Sequence, residues 1–503
     1  MKTKNITNLF IALAIIMTTV SCTKDFLEVP PKGLDLETNY YKNQQQAYAG
    51  LVAAYDPIAI NSGGFDNMVT FMNAGSDDAF GGGGLTETNN AIHFFASHTV
   101  TPVSMPGTFW SRNYQGIFRA NTLLLKLPDV DMDATLKARY TAETKALRAY
   151  YYFNLVRMFK NIPLITVPLN PSEYYTITQA DPSAVYDLIE KDLNEAKADL
   201  PNTLDLATEA GRFTKGSAQA LLGKVYLYDS RDKKALAAAE LAAVNGTPGG
   251  TSQYGYRLLA NYSDLWVFSN KFNTESILEI THSSAGKSDW GGASFGTEGN
   301  IVNIMVGPRS YVRSDTSAPD VATGWSFNPI TQGLYDVLKT DPRFAATILD
   351  VKALKDAGKV TYTPGLNDTG YFLNKFSPKN SDVYSGGGNF ELNYAQDTYA
   401  IRLADTYLME AEALGGNGAR AQALLDAVRS RVGLASIPVS LDAIAKERRL
   451  ELAGEGHRWF DLVRTGKAAA VLASRGFIAG KSEVLPIPLA ETQNTAIIQN
   501  PGY

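Results

Sequence analysis

Cysteine is almost absent from this chain: Cys22 is the only one among 503 residues. No internal disulfide can form, so stability must come from packing. Histidine is nearly as scarce, the four being His93, His98, His282 and His457, and no metal-ligand spacing joins them. With so few groups able to shuttle protons or hold a metal, hydrolytic chemistry is under-equipped. Beyond the first two dozen residues no apolar run approaches the ~20 residues of a membrane-spanning helix. An excess of basic charge is lacking too: the formal net charge is -5 with both signs interspersed, which leaves no basic footprint for a nucleic acid.

What is present begins at the amino terminus. Lys2 and Lys4 supply a positive leader, Leu9 to Val20 an apolar run too short to span a bilayer comfortably, and Ser21 the small residue a signal peptidase needs. Residues 1–21 read as a lipoprotein signal peptide with Cys22 as the lipid acceptor. Thr19 stands where an aliphatic residue is usual, and an ordinary cleaved export signal is the alternative. Acyl chains contribute ~0.8 kcal/mol per buried methylene, so several of them on one cysteine would hold a globular body on a membrane it does not cross. Aromatic residues are plentiful, with 26 tyrosines, 22 phenylalanines and 5 tryptophans, and there are 42 glycines. That mixture suits a helical core with long loops carrying exposed rings.

After Cys22 the segment TKDFLEVPPKG is kept extended by Pro30 and Pro31. A helical pattern starts near Asn39. Residues 61–108 then lose periodicity around Gly63, Gly64 and the run Gly81 to Gly84, and from Trp110 apolar residues return at intervals of three and four. Pro163 and Pro201 close two of the helices that follow. The pair SAQALLGKVYLYDS and KKALAAAELAAVNG, with Ala220 and Gly223 in the first and Ala235 and Ala238 in the second, has the form of a tetratricopeptide unit. A second pair lies in ADTYLMEAEALGGNGARAQALLDAVRSRVGL. The predicted fold is therefore mainly α, with tetratricopeptide-like helical pairs forming a frame. An N-terminal helical region covers 22–253, a loop-rich, aromatic-rich insertion with one clear strand, SILEI, covers 254–399, and a C-terminal helical region with an extended tail covers 400–503.

Several motifs have plain readings that outweigh their sharp ones. Gly292-Ala293-Ser294-Phe295-Gly296 is a literal GxSxG, but DWGGA precedes it and TEGN follows, without the strand and helix a nucleophile elbow needs; no catalytic residue is assigned. Asp129, Asp131 and Asp133 alternate like a calcium loop, yet Ala134 replaces its turn glycine and Tyr140 its bidentate glutamate, so they suit the start of the next helix and no metal ligands are assigned. Gly81 to Gly84 lack the lysine of a phosphate loop and read as flexible. Glu447, Arg448, Arg449, Glu451, Glu455, Arg458 and Asp461 fall three and four apart with opposite signs, the pattern of stabilising pairs on a helix surface.

The blocks DFLEVPP, RANTLL, ETKALRAYYYFNLVRMFKNIPLI, GRFTKGSAQALLGKVYLY, DPRF, RLADTYLMEAEAL, ERRLELAGEGHRWFDLVRTG and LPIPLAETQNTAIIQNPGY run in order through nearly the whole chain. Together they resemble the SusD/RagB family of Bacteroidetes outer-membrane nutrient-binding lipoproteins. The resemblance implies a non-catalytic glycan-binding lipoprotein without a cofactor, anchored through Cys22 to the outer membrane and facing the cell exterior. Such a protein captures an oligo- or polysaccharide and delivers it to a SusC-like TonB-dependent transporter. A peptide ligand in the same uptake system and a glycoside hydrolase on a helical frame are the alternatives. The family's glycan site lies on loops away from the helical pairs, and sugar capture asks for flat rings flanked by Asn, Asp and Arg. In the insertion the candidates are Trp290, Trp325, Tyr311 and Phe327 with Arg309 and Arg313; in the early loop they are Asn73, Asp77, Asp78 and Phe80.

Overall fold

The computed structural model describes residues 40–291 and 298–503. Cys22, its leader and the Gly292 to Gly296 motif lie outside the described residues. The helices that matter below are α1 (Gln44–Gly63), α2 (Met68–Ala74), α3 (Thr108–Lys126), α4 (Ala134–Phe159), α5 (Pro182–Asp199), α6 (Lys215–Tyr228), α7 (Lys234–Asn245), α8 (Val302–Val306), α9 (Leu403–Ala413), α10 (Gly418–Arg431), α11 (Leu441–Glu451) and α12 (Arg458–Arg464). Local chemistry sets their ends. Asp133 caps α4 by accepting from the Leu136 amide at 2.9 Å, and Asp181 with Pro182 opens α5. At α6, Thr214 and Ser217 form a reciprocal capping box.

The frame is a row of antiparallel neighbours: α1 packs on α3, α3 on α4, α4 on α5, α5 on α6 and α6 on α7. Gly223 permits the last of these approaches, since a methyl group there would sit 2.6 Å from the Leu241 Cγ. Helix α7 then packs on α9 across the insertion, and α9 carries the row on to α10 and α11. Asn245 stitches that junction, its Nδ2 donating to Glu410 at 2.8 Å and to the Thr406 carbonyl at 3.1 Å. The fold is mainly α and its helical pairs are of tetratricopeptide type. Among the described residues no helix is long and apolar enough to cross a membrane.

The insertion is closed at its base by an antiparallel ribbon of β1 (Ser276–Ile280) and β2 (Thr398–Arg402). SILEI is thus a strand, as predicted. Two smaller apolar clusters give the insertion cores of its own, one around Trp266, Leu334 and Phe376, the other around Tyr311, Val321 and Phe372. Residues 61–108 are less irregular than the sequence suggests, because α2 and a helix at Ala91–Ala96 lie within them; one or two turns are too short for periodicity to register. The tail returns to the body: Leu485 N–H donates to the Met158 carbonyl at 2.7 Å and Asn500 Nδ2 to the Phe159 carbonyl at 2.8 Å.

The charged run of α11 and α12 departs from its surface reading. Arg402, wholly buried, holds Glu275 at 2.9 Å, Glu451 at 2.6 Å and Glu455 at 2.8 Å. Arg343 pairs with Glu447 at 2.7 Å and Glu451 at 2.9 Å, Arg431 adds a further bond to Glu451, and Lys375 takes Glu455 at 2.7 Å. Spacing of three and four places charges on one helix face but does not say whether solvent or another element covers it. Here β2 and the insertion cover it. Burial raises the cost of each charge, while Arg431, Arg402 and Arg343 together hold the Glu451 carboxyl well below the usual range.

Candidate functional site

Three rings from three separate loops meet at the surface. The centroids of Phe65 and Trp290 are 6.0 Å apart, those of Trp290 and Trp325 6.0 Å, and those of Phe65 and Trp325 6.2 Å. The Phe65 and Trp325 planes are parallel within 1°, and Trp290 tilts from them by 34° and 33°. This near-equilateral triangle is a shallow, bent platform. Trp290 is 47% exposed and Phe65 40%, which is unusual for such large apolar side chains.

The platform is fixed from below. The buried helix α8 lies under two of its corners: Ile301 N–H, just before α8, donates to the Gly63 carbonyl at 2.7 Å, and Trp325 N–H donates to the Ile304 carbonyl at 2.8 Å. Asn67 caps α2 and its Nδ2 donates to the Gly64 carbonyl at 2.8 Å, which holds the turn carrying Phe65. The Trp290 loop rests on two asparagines. Buried Asn393 accepts from Ser288 N–H at 2.9 Å and donates back to the Ser288 carbonyl at 2.8 Å, while Asn389 Oδ1 accepts from Trp290 N–H at 3.1 Å. Rings set in advance lose little entropy when a ligand stacks on them.

Of the residues singled out by sequence, the structure brings together Trp290 and Trp325, with Arg309 beside them; the Arg309 Nη2 donates to the Trp325 carbonyl at 3.2 Å and to Glu87 at 3.3 Å. The others lie in different surroundings. Tyr311 is a core residue whose hydroxyl donates to the Pro319 carbonyl at 2.9 Å. Phe327 is buried against Gly83, where a methyl group would sit 2.8 Å from its ring. The Gly81 to Gly84 run therefore serves close packing rather than flexibility, with Gly82 bridged to Phe327 and Gly83 at φ +94°. Arg313 reaches the Ala318 carbonyl and Asp320.

The early-loop set faces inward. Asn73 is buried, donating to the Gly454 carbonyl at 2.9 Å and accepting from Gly456 N–H at 3.0 Å. Asp77 bonds Arg458 at 2.8 Å and Arg449 at 3.0 Å, and Asp78 bonds Arg449 at 2.6 Å. Phe80 lies under the Arg475 guanidinium, 4.5 Å from its ring centre. Sequence reasoning missed Phe65. Its signal was the one that marked Trp290, an aromatic residue beside glycines in an aperiodic stretch, here Gly63-Gly64-Phe65.

One carboxyl pair needs weighing as acid–base machinery. Burial and the neighbouring Asp397 push Glu279 up to about 8. Asp397 also takes Lys271 at 2.7 Å and His282 N–H at 2.8 Å. A glycoside hydrolase needs its carboxyls ~5 Å or more apart with the sugar between them. Both residues here are buried.

Comparison with known proteins gives one consistent answer. A model described as "SusD family" matches residues 336–503, and one described as "Starch-binding associating with outer membrane" matches residues 35–227. SusD-like protein P25 of Formosa agariphila is 25% identical, over 99% of each chain. Among solved structures, a laminarin-binding SusD-like protein is 63% identical with a TM-score of 0.90, covering 92% of this chain and 100% of that one. Surface glycan-binding protein A from Bacteroides thetaiotaomicron, in complex with laminarihexaose, is 26% identical with a TM-score of 0.81, covering 91% of this chain and 100% of that one. With that identity carried over almost the whole of both chains, this chain belongs to the SusD family.

Proposed function

We propose that the protein is a non-catalytic, cell-surface glycan-binding lipoprotein whose ligand is a laminarin-type glucan, captured on the Phe65, Trp290 and Trp325 platform. The observation that carries this reading is the platform itself: three preset rings, two of them strongly exposed, with Arg309 at the edge. Sugar rings present apolar C–H faces that stack on such surfaces, and aromatic contacts contribute ~0.5–1.5 kcal/mol each beyond area burial. Laminarin is favoured among glycans by the relative that is 63% identical and binds it. Cys22 would carry the lipid that holds the protein at the outer membrane, and a SusC-like TonB-dependent transporter would receive the glycan. The family description as outer-membrane associated supports that location. Absence of catalysis is supported by the glycan-binding relatives.

Isothermal titration of the protein without its leader against a panel of polysaccharides tests the reading. Saturable binding of laminarin with no release of reducing ends is the expected result. Silence toward laminarin, or product formation from it, would contradict it.

A further inference from the structure

Helix α3 leads away from the platform. Thr108 in its first turn donates to Asp66 at 2.8 Å, and Asp66 is the residue after Phe65. Ser111, Gln115 and Phe118 follow Thr108 at steps of three, four and three, so the four side chains form one stripe about 15 Å long. The stripe enters a cavity of about 420 Å³, walled by Phe118 and Tyr174 with Val167 and Ile497. Phe118 is 53% exposed and Tyr174 50%, as open as the platform rings.

The cavity is preformed. Its walls are sewn together by Ala496 N–H donating to the Tyr175 carbonyl at 3.0 Å and Ile498 N–H donating to Gln179 at 3.0 Å. Its chemistry repeats that of the platform: open ring faces, then a few polar groups in Ser111, Gln115 and the half-buried carboxyl of Glu491. Burial raises that carboxyl above its ordinary range. Its volume lies in the range of ligand sites, and its aliphatic walls suit the C–H faces of a sugar.

We infer that this cavity is a second glycan subsite, filled by the continuation of the same glucan chain after it leaves the platform along the α3 stripe. The inference rests on the platform reading, and it makes affinity depend on chain length, since a short ligand covers the platform alone. The experiment is titration of wild type, Phe118→Ala, Tyr174→Ala and Trp290→Ala with laminari-oligosaccharides of increasing length and with laminarin. The two cavity variants should bind the shortest oligosaccharide as wild type does, yet lose about three- to tenfold affinity for laminarin, which flattens the gain with length. Unchanged laminarin affinity in both cavity variants overturns the second subsite, and so does an equal loss at every length. Wild-type affinity in Trp290→Ala at all lengths would defeat the platform reading instead. Half-exposed Phe118 and Tyr174 can be truncated without emptying the core, and an unchanged thermal midpoint verifies this for each variant.

Discussion

The stretch from Phe65 to Phe80 uses its two ends in opposite ways. At one end an apolar ring is held in solvent; at the other, Asp77 and Asp78 are drawn inward onto Arg449 and Arg458. Ordinary burial preferences would reverse both choices. Exposing Phe65 forgoes burial energy that the fold could have gained, and burying Asp78 meets a desolvation cost that Arg449 offsets only in part. An exposed ring is open to a ligand, whereas a buried charge with a partner holds the fold. The same contrast separates the Trp290 and Trp325 corner from the Arg402 network beneath the insertion.

The contrast can be broken first at its structural side. Arg402→Ala leaves Glu275, Glu451 and Glu455 without their shared counter-charge and should destabilise the protein by about 3–5 kcal/mol, read as a large drop in denaturation midpoint. Wild-type stability in this variant would show that the network does not hold the insertion on the frame. A smaller effect is expected at the early loop: Asp77→Asn weakens a partly exposed pair of arginine contacts and should cost roughly 1 kcal/mol while leaving laminarin affinity unchanged. Lost affinity at unchanged stability would return Asp77 to the binding site.

The smallest effect is on pH dependence. Glu279 binds its proton up to about 8 in the folded protein, whereas an unfolded glutamate releases it near ~4.3. The native state therefore holds more protons between those values, and this group's effect is that stability falls as pH rises through that window. Asp405, held well below the carboxylate range by Lys224 and Arg448, acts in the opposite sense: its stabilisation is present above ~4 and is lost in stronger acid. The thermal midpoint of Glu279→Gln should therefore gain on that of wild type as pH rises from mildly acidic to mildly alkaline. A constant difference between the two midpoints over that range would contradict the raised Glu279 carboxyl. Laminarin affinity should stay flat there, because no ring of the platform titrates.

Much of the frame was legible in the sequence because its signals are local. Asp133 capping α4, Gly223 admitting Leu241 and SILEI forming β1 each follow from residues within one element or between neighbours. Trp290 and Trp325 were legible for a related reason: tryptophan in glycine-rich, aperiodic sequence has few packing partners close at hand. What could not be read is non-local. Asp78 meets Arg449 across 371 residues and Asp77 meets Arg458 across 381, so nothing near them in sequence marks them as paired. Tyr311 and Phe327 share the loop chemistry of Trp325, yet a small core of the insertion takes one and the close approach of Gly83 the other. Phe65 needed α8 to bring it beside two tryptophans from the insertion.

The most direct measurement is titration of the Trp290→Ala, Trp325→Ala double variant with laminarin, alongside its thermal midpoint. The expected result is a loss of affinity of about tenfold or more, with cooperative unfolding retained. Wild-type affinity in a folded double variant would contradict the claim that the three-ring platform is the glycan site.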